Sequence, residues 1–218
     1  MPVRIKICGI TNVADCREAI SLGADAIGLN FYPPSPRYVD SCVVDAIQHE
    51  VPPLVEIVGV FVNEPLPQVL RLLERWDRIR TIQWHGEKPG LGAVSPWRLI
   101  PAFPVREAED LREIIRYLEL GRTQSRQPAA VLIDAHVPGQ YGGTGRTVPW
   151  DLLADFRPGI PVILAGGLTP ENVAEAIRIV KPYAVDVASG VEQSPGHKDA
   201  EKIRRFIHNA REAAARWA

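Results

Sequence analysis

Two side chains in this sequence are well suited to proton transfer. Cys8 closes the strand-like segment Val3–Cys8, and Asp134 closes Ala130–Asp134. Two such groups, one initially protonated and one not, suit a reaction that delivers one proton and removes another. Each also has a plain structural reading. A lone cysteine at a strand end is ordinarily a small core residue, and an aspartate there ordinarily caps a helix or closes a turn. A free thiol titrates near about 8.5, so only a small fraction is thiolate at neutral pH. Lys6, two residues before Cys8, is expected to lower that value by favouring the thiolate.

A second chemical signal lies in the glycines. Ala165-Gly166-Gly167-Leu168-Thr169 follows one strand-like segment, and Ala188-Ser189-Gly190-Val191-Glu192 follows the next. Glycine lets an anion approach the main chain closely, and a helix end adds a favourable dipole. Consecutive loops of this kind cradle a phosphate in many strand–helix barrels. The stretch His136–Pro149, with Tyr141-Gly142-Gly143-Thr144-Gly145-Arg146 inside it, is long and glycine-rich, a candidate for folding over a ligand.

The elements that must position these residues alternate almost throughout. Strands are expected at Val3–Cys8, Ala26–Phe31, Glu56–Val62, Thr81–His85, Leu99–Val105, Ala130–Asp134, Val162–Ala165 and Ala184–Ala188. Helices are expected at Val13–Leu22, Cys42–His49, Leu66–Trp76, Glu107–Leu120, Pro170–Val180 and Asp199–Arg216. Thr169-Pro170-Glu171 reads as a helix start and Gly121–Pro128 as an exposed loop. Such alternation implies parallel pairing through right-handed crossovers, and in 218 residues it predicts a single-domain (β/α)8 TIM barrel. An open doubly wound sheet would carry a GxGxxG turn after the first strand, and none is there. Between His85 and Leu99 the chain is too rich in Gly and Pro for a full helix, so the fourth helix is expected to be reduced or missing. Strand alternation turns Lys6, Cys8, Gly28, Asn30, Asn63, Gln83, His85 and Asp134 inward, toward the barrel end where chemistry sits.

Composition narrows the partners. A formal net charge of -1 gives no sign of a nucleic-acid or membrane surface, and no apolar run approaches a spanning helix. The N-terminus shows no leader pattern, and three cysteines without a CxxC fit a reducing, cytoplasmic setting better than disulfides or zinc.

In order along the chain, Lys6-Ile7-Cys8-Gly9-Ile10-Thr11, Gly28-Leu29-Asn30-Phe31, Ser35-Pro36-Arg37-Tyr38 and Val58–Asn63 resemble phosphoribosylanthranilate isomerases. So do Gln83-Trp84-His85-Gly86, Leu132-Ile133-Asp134, Tyr141–Gly145, Leu164–Asn172 and Val185–Glu192. The resemblance implies an Amadori rearrangement of a small phosphorylated substrate, with no cofactor and no metal, by a monomer or homodimer. It implies Cys8 as general base, Asp134 as general acid and Arg37 as holder of the anthranilate carboxylate. Gly166, Gly167, Ser189 and Gly190 would form the phosphate site. A planar carboxylate suits Arg37, whose guanidinium can bond both oxygens. Pro101, where the family commonly has lysine, is a departure from the pattern. A histidine-pathway isomerase would typically carry Asp in place of Cys8. A noncatalytic phosphate-binding barrel would keep the glycine loops and lose the acid–base pair.

Overall fold

Short runs of β-branched and apolar residues, bounded by Gly, Pro and Asp, form the strands. The computed structural model describes residues 3–87, 96–124, 126–134 and 150–215. Its strands are β1 (Arg4–Cys8), β2 (Ala26–Asn30), β3 (Glu56–Val62), β4 (Ile79–His85), β5 (Arg98–Pro104), β6 (Val131–Asp134), β7 (Val162–Ala165) and β8 (Ala184–Val187). They close a barrel in chain order, every pair parallel, with β8 returning to β1 through Lys6↔Asp186 and its neighbours. Helices α1 (Val13–Ser21), α2 (Ser41–Glu50), α3 (Leu66–Leu73), α4 (Ala108–Thr123), α5 (Trp150–Leu153), α6 (Val173–Val180) and α7 (Ala200–Ala215) supply the crossovers and the C-terminal cover.

The expected TIM barrel is therefore the observed one. Of the segment expected to lack a full helix, residues 88–95 lie outside the described residues, and Gly86, Glu87, Pro96 and Trp97 are not helical. A short two-stranded hairpin, β9 (Glu192–Ser194) with β10 (His197–Lys198), follows a single 3₁₀ turn at Ser189–Val191.

Most boundaries shift by one to three residues, and two of the shifts have a clear local reason. Helix α6 starts at Val173 because residues 169–172 form a turn of their own. There the Asn172 side chain accepts from the Thr169 N–H, and the Thr169 hydroxyl accepts from the Glu171 N–H. Helix α4 runs on through Gly121, which is buried, so the polar loop expected at Gly121–Pro128 begins later.

Strand alternation splits the apolar residues into two bodies. Outward side chains such as Ile5, Ile27, Phe61, Trp84, Ile133 and Val185 pack beneath the helices. Inward residues Ile100, Ala102, Leu132, Ile163, Ala165 and Ala184 fill the β5–β8 half of the barrel. The interior also holds polar side chains, with Lys6, Thr81, Gln83 and Asp186 all buried beside Val58 and Val60. A barrel interior filled with side chains has little room to hydrate such groups, and they take protein partners: Lys6 bonds Asp186, Thr81 bonds Glu56 and Gln83 bonds His85.

Phe61 anchors the outer layer, stacked on Phe31 with ring centroids 4.9 Å apart, while Phe31 meets Trp76 at 5.7 Å. Phe61→Ala is expected to cost about 3–5 kcal/mol, read as a lower urea midpoint at unchanged slope. A loss below about 1 kcal/mol would contradict this packing.

Candidate active site

Lys6 and Cys8 stand on the inward face of β1, and glycine on the next strand makes their space. A Cβ on Gly28 would lie 2.6 Å from Cys8 Sγ and 3.1 Å from Lys6 Nζ. Lys6 Nζ donates to Asp186 Oδ1 at 2.8 Å across the β8–β1 seam, with both side chains about 95% buried. Burial lowers the Lys6 pKa, but the charges of Asp186 and Cys8 outweigh it, so the ammonium is held above its ordinary value. Cys8 behaves differently from expectation. Burial pushes its thiol up, Lys6 pulls it down, and the Asp186 carboxylate pushes it up again. The net shift is upward. Lys6 acts in the expected direction, but desolvation exceeds it and Asp186 opposes it. Cys16, by contrast, is buried in the helix layer, where desolvation raises it to about 11.

Arg37 is fixed along its length. Its stem lies over Gly9, where a Cβ would come within 2.5 Å of Arg37 Cδ, and Gly9 has φ +73. Its head is paired bidentately with Glu192, Nε to Oε1 at 2.8 Å and Nη2 to Oε2 at 2.7 Å. Lys198 Nζ joins the same carboxylate at 2.9 Å and also donates to the Ala188 carbonyl. Glu192 comes directly after the Ser189–Val191 turn, so one short segment carries both the glycine loop and the partner of Arg37.

The two glycine loops touch through their backbones. A Cβ on Gly190 would overlap the Leu168 carbonyl oxygen at 1.9 Å, so the loop after β8 seats on the loop after β7 only because residue 190 is glycine. Gly166 and Gly167 hold successive positive φ angles of 86° and 64°, a conformation open to glycine at no steric cost. Asp134 ends β6, its neighbour across β7 being Ala165. Around the barrel mouth the order is thus Asp134 on β6, Gly166-Gly167 after β7, Ser189-Gly190 after β8 and Cys8 on β1.

Gln83 and His85 do turn inward together, their Nε2 atoms 2.8 Å apart. Asn63 does not belong with them. It follows β3 with φ +53, and its Oδ1 accepts from the Glu87 N–H, tying the ends of β3 and β4. Alternation along β3 turns Val58, Val60 and Val62 toward the axis, so Asn63 falls on the outward face of Phe61 and the inward expectation for it is corrected. The glycine-rich loop Tyr141–Arg146 lies outside the described residues. A cavity of about 670 Å³ opens at the opposite end of the barrel, beside Arg4, Val162 and Tyr183, away from these groups.

Three structural partners carried no assignment from sequence. Asp186 was findable, since alternation along Ala184–Val187 turns it inward beside Lys6. Glu192 and Lys198 sit in a two-stranded hairpin too short to show periodicity. Among the described residues no cluster of His, Cys, Asp and Glu is arranged for a metal ion, and no helix is long and apolar enough to cross a membrane.

Comparison with known proteins identifies the family. The family model for N-(5'-phosphoribosyl)anthranilate (PRA) isomerase matches residues 5–209. The isomerase of Geobacter metallireducens is 46% identical over 210 residues, covering 96% of this chain and 99% of its own. The crystal structure of phosphoribosyl anthranilate isomerase from Thermotoga maritima has a TM-score of 0.86 at 40% identity, covering 96% of this chain and 99% of that one. A further phosphoribosyl anthranilate isomerase structure, in complex with reduced 1-(o-carboxyphenylamino)-1-deoxyribulose 5-phosphate, has a TM-score of 0.82 at 37% identity, covering 96% and 99%. With a matching family model over nearly its whole length and a barrel that superposes on these isomerases, the chain belongs to the N-(5'-phosphoribosyl)anthranilate isomerase family, enzymes of tryptophan biosynthesis.

Proposed function

We propose that this isomerase converts N-(5-phosphoribosyl)anthranilate to 1-(2-carboxyphenylamino)-1-deoxyribulose 5-phosphate with Asp134 as general acid and Cys8 as general base. The observation that carries this reading is the order around the barrel mouth: both glycine loops lie on the arc between the strand of Asp134 and the strand of Cys8. A sugar phosphate anchored on that arc has its ring between the two groups.

The chemistry then proceeds in two proton transfers. Asp134 delivers a proton to the furanose ring oxygen as the C1–O bond breaks, and the anthranilate nitrogen lone pair forms a C=N bond to C1. The Cys8 thiolate removes the proton from C2, and the C2–H electrons form a C1–C2 double bond while the iminium is neutralised. The resulting enolamine becomes the ketone by moving the hydroxyl proton from O2 to C1. No redox partner is consumed.

Around this core, Gly166, Gly167, Ser189 and Gly190 bind the phosphate through main-chain N–H groups, and Arg37 binds the anthranilate carboxylate. The complex of a related isomerase with a reduced product analogue supports a small phosphorylated ligand here. No metal or cofactor enters the reaction. All assigned residues come from one barrel, so a monomer and a homodimer carry the same site. The free thiols Cys8, Cys16 and Cys42 suit the reducing cytoplasm.

Loss of substrate fluorescence gives the assay. Cys8→Ser and Asp134→Asn are each expected to lower kcat by at least about 100-fold, the usual scale for a lost acid or base. Near-full kcat in either variant would remove that residue from the mechanism. Arg37→Ala is expected to raise KM well beyond its effect on kcat.

The raised Cys8 pKa sets the pH dependence. The base must be thiolate, so kcat/KM should climb about tenfold per pH unit from neutrality until the thiol is ionised. Lys6→Met removes the charge that favours the thiolate and should move that limb to higher pH. A thiol titration unchanged in Lys6→Met would refute the role given to Lys6.

A further inference from the structure

Arg37 is bound on one side only. Glu192 occupies its Nε–Nη2 edge, and among the described residues Nη1 has no hydrogen-bond partner. The Arg37 side chain keeps 21% of its exposure, while Glu192 keeps 4% and Lys198 1%. The buried part of the cluster is thus the carboxylate with its lysine, and the partly exposed member is Arg37, whose far guanidinium edge faces away from Glu192. A bidentate fork fixes both the position and the plane of that edge.

We propose that Glu192, held in turn by Lys198, is the positioning residue of the carboxylate site, turning the Nη1 side of Arg37 toward the anthranilate carboxylate. The proposal rests on the assignment of Arg37 to that carboxylate and adds what aims it. Without Glu192 the arginine side chain would have to be ordered by the substrate itself, which weakens binding.

The surroundings are built for this purpose. Gly9 leaves a channel for the arginine stem, and Gly196 packs 2.8 Å, measured from its would-be Cβ, from the carbonyl of Pro36, the residue before Arg37. The Lys198 N–H donates to Asp15 at the start of α1, and Lys202 Nζ donates to the Glu192 carbonyl at 2.7 Å. Glu192 is therefore gripped at side chain and backbone. Its carboxyl is held below the usual range: burial raises it, but Arg37 and Lys198 outweigh burial. It carries its charge at neutral pH.

A purely structural glutamate would alter stability without separating KM from kcat. Glu192→Gln is expected to raise KM for phosphoribosylanthranilate about tenfold or more and to change kcat by less than about threefold. Inhibition by inorganic phosphate, which has no carboxylate to present, should keep its wild-type constant. Arg37→Ala/Glu192→Gln should be no worse than Arg37→Ala alone, because both act through one group. If Glu192→Gln leaves Lys198 unpaired and does not fold, Glu192→Gln/Lys198→Met removes one charge of each sign and should show the same raised KM. A KM within twofold of wild type in the folded variant, or effects of Arg37 and Glu192 that multiply, would overturn the proposal. So would a phosphate constant that weakens in step with KM. An unchanged KM in Arg37→Ala would instead overturn the assignment of Arg37 itself.

Discussion

Closure of the sheet is the constraint on which everything else here depends. Once β8 pairs with β1, every strand has one face toward the helices and one toward the axis, and no edge is left for either to escape to. The axis of a closed barrel is narrow, so what is placed there must fit and must be satisfied. At the seam that demand is met by Lys6 and Asp186, neighbours across β1 and β8 and bonded at 2.8 Å. Breaking such a pair leaves a buried charge unanswered, which is far more damaging than the pair itself is stabilising.

That same pair governs the thiol beside it. A lysine next to a cysteine is often read as an activator, yet here its charge is shared with an aspartate. Desolvation then dominates, and the thiol sits above its ordinary value rather than below. A base with a high pKa is scarce as thiolate but strong when formed, a balance that suits removal of a carbon-bound proton. The outcome follows from Cys8, Lys6 and Asp186 together, not from the identity of any one of them.

Much of this was legible in the sequence, for physical reasons that differ by residue. The barrel was readable because β-branched runs alternate with helical stripes, and Glu56–Val62 and Val162–Ala165 were placed to the residue. Cys8, Gly28, Gln83 and His85 were correctly turned inward because a strand has a strict period of two. Asn63 was not, since the same period puts it on the face of Phe61 and not on that of Val62. Thr169 was misplaced as a helix cap because its hydroxyl and the Asn172 amide close a turn first, a choice made by two side chains that propensity alone does not rank. Glu192 was invisible as the partner of Arg37, and Lys198 as the second cation on that carboxylate: they are 155 and 161 positions from Arg37, and the closed ring brings them together.

The short segment from Ser189 to Glu192 has a wider bearing. It begins in the glycine loop seated on Leu168 and ends on the carboxylate that grips Arg37. The separation between the proposed phosphate and carboxylate anchors is therefore set by four residues of backbone rather than by two loops moving apart. Side-chain replacements can tune either anchor alone. A gain or loss of one residue in that stretch would shift both at once, so with those proposed anchors the length of the substrate would be read as a distance along the main chain.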